Sequence, residues 1–292
     1  MNSFRGVVLR VYNSLYDVGS ELDAQVVVCS LRKTLGSVLV GDRVEVIHEG
    51  DRGSIEAIEP RKNEIAQPHI ANVDQLFLMV SAKDPRYDLA YIDTMLIAYE
   101  NLPVTIILNK IDLLTTQDSR HLADYESLGY KVKRLSVRGL TTQTKQELFD
   151  EIAHRVTLFV GLSGVGKSSL LKALTGQENI LTSEVSRKLG RGRQTTKQSR
   201  AIFIPEYQAV VIDSPGFSMV TPNQLNEDRV SAHYKDVLEL QNLCRFGNCR
   251  HLREPDCAIK EAVLAGKVSS RRYETYVKLI QQMDQKQSLR YE

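Results

Sequence analysis

The chain has 292 residues, of which 42% are hydrophobic and 25% charged, with a formal net charge of +2. That length implies two or three folded parts, the ordinary apolar share allows a packed core, and the near-neutral balance excludes a uniformly cationic coat. The first residues, MNSFRGVVLRVY, hold no apolar signal core, no apolar run nears the roughly 20 residues of a membrane helix, and four cysteines do not make a disulfide scaffold; a cytoplasmic chain without membrane association is expected.

Residues 1–66 read as short strands. The runs GVVLRVY, AQVVVCSL, VLVGDRVEVI and GSIEAIE are β-branched, partly alternating, and parted by Gly-Asp or Gly-Ser turn signals. With no helical period among them, an OB-like β-barrel is expected. Such barrels often bind oligonucleotides, and a barrel that only packs on its neighbour fits the pattern equally. Cys29, inside VVVC, reads as a buried core thiol.

Residues 67–222 change character. VDQLFLMVSA reads as a buried strand, LAYIDTMLIAYE as a helix, and PVTIILNKIDL as a second buried strand running into a loop. A helix near 119–128, a strand at YKVKRLSV, a helix at KQELFDEIAHR, a strand-loop-helix at VTLFVGLSGVGKSSLLKAL and a buried strand at QAVVIDSPGF follow. Alternation of this kind predicts an α/β domain whose parallel sheet is covered on both faces. Residues 223–292 read as a helical, charged domain, interrupted by a Cys/His cluster and closed by a helix near 268–285. Positive charge is local: Arg187, Lys188, Arg191, Arg193, Lys197 and Arg200 face only Glu184 within 181–203, and the chain after Leu243 is again basic. Two basic segments on a neutral chain fit a local nucleic-acid contact.

Gly161, Leu162, Ser163, Gly164, Val165, Gly166, Lys167, Ser168 and Ser169 contain the pattern G-x-x-x-x-G-K-[ST] between an apolar strand and the helix LLKAL. Glycines are needed because successive backbone N–H groups must turn inward around a polyphosphate. Lys167 then reaches the β- and γ-phosphates, Ser168 joins a Mg²⁺ shell, and the helix N-terminus faces the anion. Asn109, Lys110, Ile111 and Asp112 follow the buried strand VTIIL, at the carboxyl end where such sheets bind ligands. The Asp112 carboxylate matches the N1–H and 2-amino donors of guanine; adenine would leave it unpaired. Asn109 is expected to tie neighbouring loops together, the stem of Lys110 to lie against the base, and Ser136, with Val137, to meet the guanine carbonyl. GTP or GDP with Mg²⁺ is therefore the expected ligand.

Asp213 follows the strand AVVI and opens Asp-Ser-Pro-Gly, offering a carboxylate to the Mg²⁺ and the N–H of Gly216 to the γ-phosphate. Thr195 or Thr196, in RGRQTTK, can close over the same phosphate and metal; sequence does not choose between them. The segment 187–200 is expected to order when the γ-phosphate or a partner engages it. Farther on, Cys244, Cys249, His251 and Cys257 offer three thiolates and an imidazole, the donor set of a closed, structural Zn²⁺ site. Arg245, Arg250 and Arg253 lie between them, so the metal would shape a cationic loop suited to RNA phosphate.

Most GTPases carry the phosphate loop first and the base-reading motif last. Here 109–112 precedes 161–169 and 213–216 comes last. With the strand-rich amino-terminal part, the permuted motifs and the Cys/His cluster, the chain resembles, over essentially its whole length, the bacterial ribosome small-subunit-dependent GTPase A family. That resemblance implies an OB-fold, a circularly permuted GTPase domain and a zinc domain whose ligands are the same four positions. It also implies GTP hydrolysis stimulated by the small ribosomal subunit, late in that subunit's maturation; contact with that subunit's rRNA and a monomeric chain are expected.

One departure bears on hydrolysis. Phe217 stands where many GTPases place a water-orienting glutamine, and the resembled family is also hydrophobic there, with a histidine usual just before its paired threonines. Gln194 occupies that place. Its amide can orient water but is no practical proton acceptor, and it reads equally as a surface glutamine. A GTP-switched RNA-binding module with negligible turnover therefore stands as the rival reading.

Overall fold

A computed structural model of the chain describes residues 2–22, 25–50, 52–114, 116–176, 199–213, 220 and 225–288. Backbone contacts group them into two units, Met1–Arg86 with Asn101–Met219, and Tyr87–Glu100 with Val220–Glu292.

The first unit begins with a closed barrel. Strands β1 (Asn2–Tyr12), β2 (Leu15–Ser20), β3 (Val26–Leu31), β4 (Arg43–Glu49) and β5 (Arg52–Ile58) run in the order β1-β2-β3-β5-β4. β3 pairs with β5 in parallel, and the other pairs, including β4 back to β1, are antiparallel. Period-two alternation in RVEVIHE turns Val44 and Val46 inward against Val8, Val18, Val27, Cys29 and Ile55. Burial pushes the Cys29 thiol up to about 12, as suits an inert core thiol. The run VLVGDRVEVI is not one strand. Its fully buried Asp42 accepts the Leu39 N–H at 2.7 Å and the Arg61 side chain at 2.8 Å, which fixes a connection before β4 begins at Arg43.

After the short pair β6 (Glu64–Ile65) and β7 (Ile70–Ala71) comes a six-stranded sheet. It comprises β8 (Gln75–Ser81), β9 (Val104–Asn109), β10 (Lys131–Arg134), β11 (Val156–Val160), β12 (Arg200–Ile204) and β13 (Ala209–Asp213), in the order β10-β9-β8-β11-β13-β12. All neighbours are parallel except the edge strand β12. β8 and β11 are buried at every residue, which explains their largely apolar runs; of the buried polar residues in them, Gln75 donates to Thr157 at 3.0 Å. Counting β11 as the first strand converts the order into 6-5-4-1-3-2, a doubly wound sheet. The permuted motif order thus moves the chain's starting point and leaves the sheet intact.

Helices α1 (Leu89–Ala98), α2 (Thr116–Ser127), α3 (Thr142–Ile152) and α4 (Lys167–Thr175) alternate with these strands. Leu148, Phe149 and Ile152 of α3 and Leu170, Leu171 and Leu174 of α4 share a core with Phe77, Met79, Ile107 and Phe159, the one-sided spacing of amphipathic helices. In the second unit, α1 joins α5 (Glu227–His233), α6 (Lys235–Leu238), α7 (Ala258–Leu264) and α8 (Ser270–Ser288). Ile97, Val230, Tyr234, Val237, Ile259 and Leu279 form its centre. Asp93 of α1 is fully buried there; it receives the Tyr234 hydroxyl, Arg272 at 3.1 Å, and lies 3.3 Å from His233 Nε2. A carboxylate out of water needs partners of this number and charge. Among the described residues no helix is long and apolar enough to cross a membrane.

Candidate nucleotide site and metal centre

Register aligns the carboxyl ends of the central strands, Val160 opposite Leu78, Ser81 opposite Asn109 and Phe159 opposite Asp213. The loops that leave those ends build one site, where doubly wound sheets bind their ligands.

The 161–169 loop shows why it is rich in glycine. Gly161 has φ +151°, and a Cβ there would stand 2.3 Å from the Met79 carbonyl oxygen; Gly166 has φ +104°, and its Cβ would stand 2.2 Å from Asn109 Nδ2. Only glycine lets the backbone pass so close in that conformation. Val165 is buried in the sheet core and anchors the loop, while Ser163, Gly164 and Ser169 are exposed and Leu162 and Ser168 half-buried. α4 starts at Lys167 without a side-chain cap, which leaves backbone N–H donors for an anion. The Lys167 ammonium folds onto the carbonyls of Gly161 and of Leu162, the latter at 3.1 Å. Burial holds its pKa below the ordinary lysine value, and the Asp213 charge pulls the other way.

Asn109 is the joint of the site. Its Nδ2 donates to the Val165 carbonyl at 2.8 Å, and its Oδ1 accepts the N–H of Lys110 at 2.7 Å and of Val137 at 3.0 Å. One buried side chain thus joins the phosphate loop, the 109–112 loop and the loop after Ser136, as the sequence led one to expect. Lys110 is left-handed at φ +60° and donates to the carbonyls of Lys83, at 3.1 Å, and Asp84; sequence gave no sign of that strand-end loop. Ile111 donates its N–H to the Leu135 carbonyl at 3.4 Å, and Asp112 is exposed on the single turn Ile111–Leu113. Asp213 ends β13 with 5% exposure. A hydroxyl from Ser168 and a carboxylate from Asp213 are hard oxygen donors, the chemistry that suits Mg²⁺. Gln194, Thr195, Thr196, Gly216 and Phe217 lie outside the described residues.

In the second unit the ligand atoms of Cys244, Cys249, His251 and Cys257 all lie within 4.8 Å of one another. His251 Nδ1 is 3.5 Å from Cys244 Sγ and 3.4 Å from Cys257 Sγ, and those two sulfurs are 3.9 Å apart. Tetrahedral zinc, with bonds of about 2.3 Å to sulfur and about 2.05 Å to nitrogen, requires separations of about 3.5 Å and about 3.8 Å. Donor set and spacing both fit that ion.

Other residues shape the metal loop. Glu254 accepts the backbone N–H groups of Arg250 and Leu252 at 2.9 Å and of Arg253 at 3.0 Å. These bonds, that from Arg250 foremost, hold its carboxyl down at about 2. Tyr273 donates to the His251 carbonyl at 2.7 Å. The expected cationic loop is largely neutralised: Arg245 pairs with Asp256 at 2.6 Å and Arg250 makes two 2.9 Å bonds to Asp284, leaving Arg253 as the exposed arginine of the three outside such pairs among the described residues. Glu254→Ala should weaken zinc retention about ten-fold in a competition with a chelator, because partners that orient a metal loop carry that much affinity; unchanged retention would assign Glu254 to folding alone.

Comparison with known proteins agrees with this geometry. The family model RsgA GTPase matches residues 58–222, which span both the 109–112 and 161–169 loops. The small ribosomal subunit biogenesis GTPase RsgA of Shouchella clausii is 37% identical over 302 residues, 98% of this chain and 99% of that protein. Among solved structures, YjeQ from Thermotoga maritima is 31% identical with a TM-score of 0.67, covering 97% of this chain and 99% of its own. YloQ, described as a circularly permuted GTPase, is 29% identical with a TM-score of 0.68, covering 98% of this chain and 96% of its own. With the family model covering more than half of the chain and the similarity running nearly end to end, the chain belongs to the RsgA GTPase family.

Proposed function

We propose that this chain is a GTPase that acts in the biogenesis of the small ribosomal subunit, binding GTP and GDP with Mg²⁺ and hydrolysing GTP. The observation that carries the reading is the Asn109 joint, which makes a base-reading loop and a phosphate loop one site, in a chain similar to proteins named for small-subunit biogenesis. Asp112 accepts the guanine N1–H and 2-amino donors, and the backbone at Ser136 and Val137 meets the base carbonyl. Backbone N–H groups of 164–168 and the Lys167 ammonium take up the phosphates. Ser168 and Asp213 would hold the Mg²⁺, which offsets phosphate charge. Thr195 or Thr196 and the Gly216 N–H close on the γ-phosphate. A water oriented by Gln194 attacks phosphorus as the bond to the bridging oxygen breaks and passes its proton to an oxygen of the departing γ-phosphoryl group, giving GDP and inorganic phosphate.

Cys244, Cys249, His251 and Cys257 would hold one structural Zn²⁺, with all four places filled by protein. The working parts are 1–66, 67–222 and 223–292, and the chain acts as a cytoplasmic monomer that meets the rRNA of the small subunit. GTP turnover with and without purified small subunits, beside an ATP control, tests the reading. Slow intrinsic hydrolysis and a clear rise with subunits are expected, with ATP inert. Gln194→Ala should depress the stimulated rate roughly ten-fold and leave GTP affinity intact, since positioning acts in the transition state. GTP-dependent subunit binding with no rise in turnover would favour the GTP-switched RNA-binding module.

A further inference from the structure

Arg200 opens the edge strand β12, and the antiparallel register sets it directly opposite Asp213. Residues so paired project to the same face, with Cβ atoms about 5 Å apart. On the barrel side of the same unit, β1 packs against β12. There Arg10 donates to the Tyr12 hydroxyl at 2.6 Å and Tyr12 donates to Asp17 at 2.9 Å, all three half-buried. Arg200 is half-buried as well. Burial and Arg10 hold its guanidinium below the ordinary range, while Tyr12, Asp17 and Asp213 pull it up. Two carboxylates, one on the barrel and one at the expected metal position, therefore act on one guanidinium, and Asp213 acts on Lys167 at the same time.

We propose that Arg200 is a positioning residue with two alternative carboxylates, Asp213 when the nucleotide site is metal-free and Asp17, beside Tyr12, when Mg²⁺ takes Asp213. The inference rests on the reading of Asp213 as the Mg²⁺ carboxylate. A cation beside a divalent metal is repelled by it, so Mg²⁺ binding would weaken the hold of Asp213 on Arg200, and Asp17, which register sets opposite Arg10 on the strand that packs against β12, is the carboxylate that acts on Arg200 from the barrel side. Arg10 bounds the movement by like charge. Through Arg200 the barrel registers whether the site holds nucleotide with metal. A physical link then joins a strand of the barrel to the site where GTP is hydrolysed.

The test uses the full-length protein and reads no turnover: free Mg²⁺ is titrated against retention of a fluorescent GDP analogue. Arg200→Met removes the competitor and should lower the half-saturating Mg²⁺ about five-fold; Asp17→Asn removes the alternative partner and should raise it by about the same factor. The double variant should follow Arg200→Met alone, because Asp17 acts only through Arg200. A purely structural role would shift both single variants in one direction, and that result overturns the proposal, as does an unmoved Arg200→Met. Asp17→Asn carries its own sign should Arg200→Met fail to fold, and there an unmoved or lowered requirement overturns the proposal. Asp213→Asn separates the two layers. It should raise the Mg²⁺ requirement more than ten-fold; if it does not, the reading of Asp213 fails, and if it does while Arg200→Met leaves the requirement unchanged, only the role of Arg200 falls.

Discussion

Asp112→Asn should cost about a hundred-fold or more in GTP affinity and confer binding of xanthosine triphosphate. A carboxylate facing two guanine donors supplies two acceptor bonds; the asparagine amide turns one of them into a donor facing a donor, and an unsatisfied or opposed buried pair costs about 1–3 kcal/mol each time. Xanthine carries an oxygen at C2, which the amide N–H can meet, so the discrimination should invert rather than merely decline. The fold should not notice, because Asp112 is exposed on the short turn Ile111–Leu113 and the joint that sets the loop belongs to Asn109. Titration of fluorescent guanosine and xanthosine nucleotides, beside a melting curve, checks this. An unchanged nucleotide preference would remove Asp112 from the base pocket.

Legibility in the sequence followed the type of interaction. The 161–169 loop was readable because its requirement is backbone geometry, and glycines at 161 and 166 are the visible trace of close approaches to Met79 and Asn109. β8 and β11 were readable because a strand buried on both faces is apolar at most of its positions. β12 was not read as a strand. Its five residues follow a basic segment without turn or period, and their place is set by pairing with β13. β2 was missed because LYDVGS carries aspartate and glycine that argue against a strand. α1 was legible as a helix, whereas its buried partners were not: Tyr234 and Arg272 lie 141 and 179 positions beyond Asp93. Glu254 gave no signal because its three partners are backbone N–H groups, and the arginines of the metal loop looked cationic because Asp284 lies 34 positions beyond Arg250.

Removal of zinc should unfold the carboxyl-terminal core and leave nucleotide binding in place. Cys257 is 2% exposed and belongs to the same core as Ile259, Tyr276 and Leu279, while Cys244 and Cys249 pack against it. The chain from Cys244 to Cys257 has no regular helix or strand of its own, so a metal held by its four ligands would add to the Glu254, Asp256 and Tyr273 bonds that shape it. Three thiols and an imidazole drawn this close have little else to bond, whereas zinc binding contributes folding free energy, on the order of 10 kcal/mol in isolated finger peptides. Loss of the ion should free the His251 carbonyl from Tyr273 and the Arg250 carbonyl from Tyr276, loosening α8. The chain has no tryptophan, so near-ultraviolet circular dichroism reports on tyrosines, Tyr234, Tyr273 and Tyr276 among them. Elemental analysis should find one zinc per chain. A zinc-selective chelator, added with Mg²⁺ in excess, should then reduce that tyrosine signal while fluorescent GDP stays bound, since the phosphate and base loops, with Tyr12, Tyr16, Tyr125, Tyr130 and Tyr207, belong to the other unit. Cys257→Ser, at the most buried thiol of the four ligands, should be the most damaging single replacement. A metal-free preparation with its tyrosine signal intact would show that the cluster is not what holds this core.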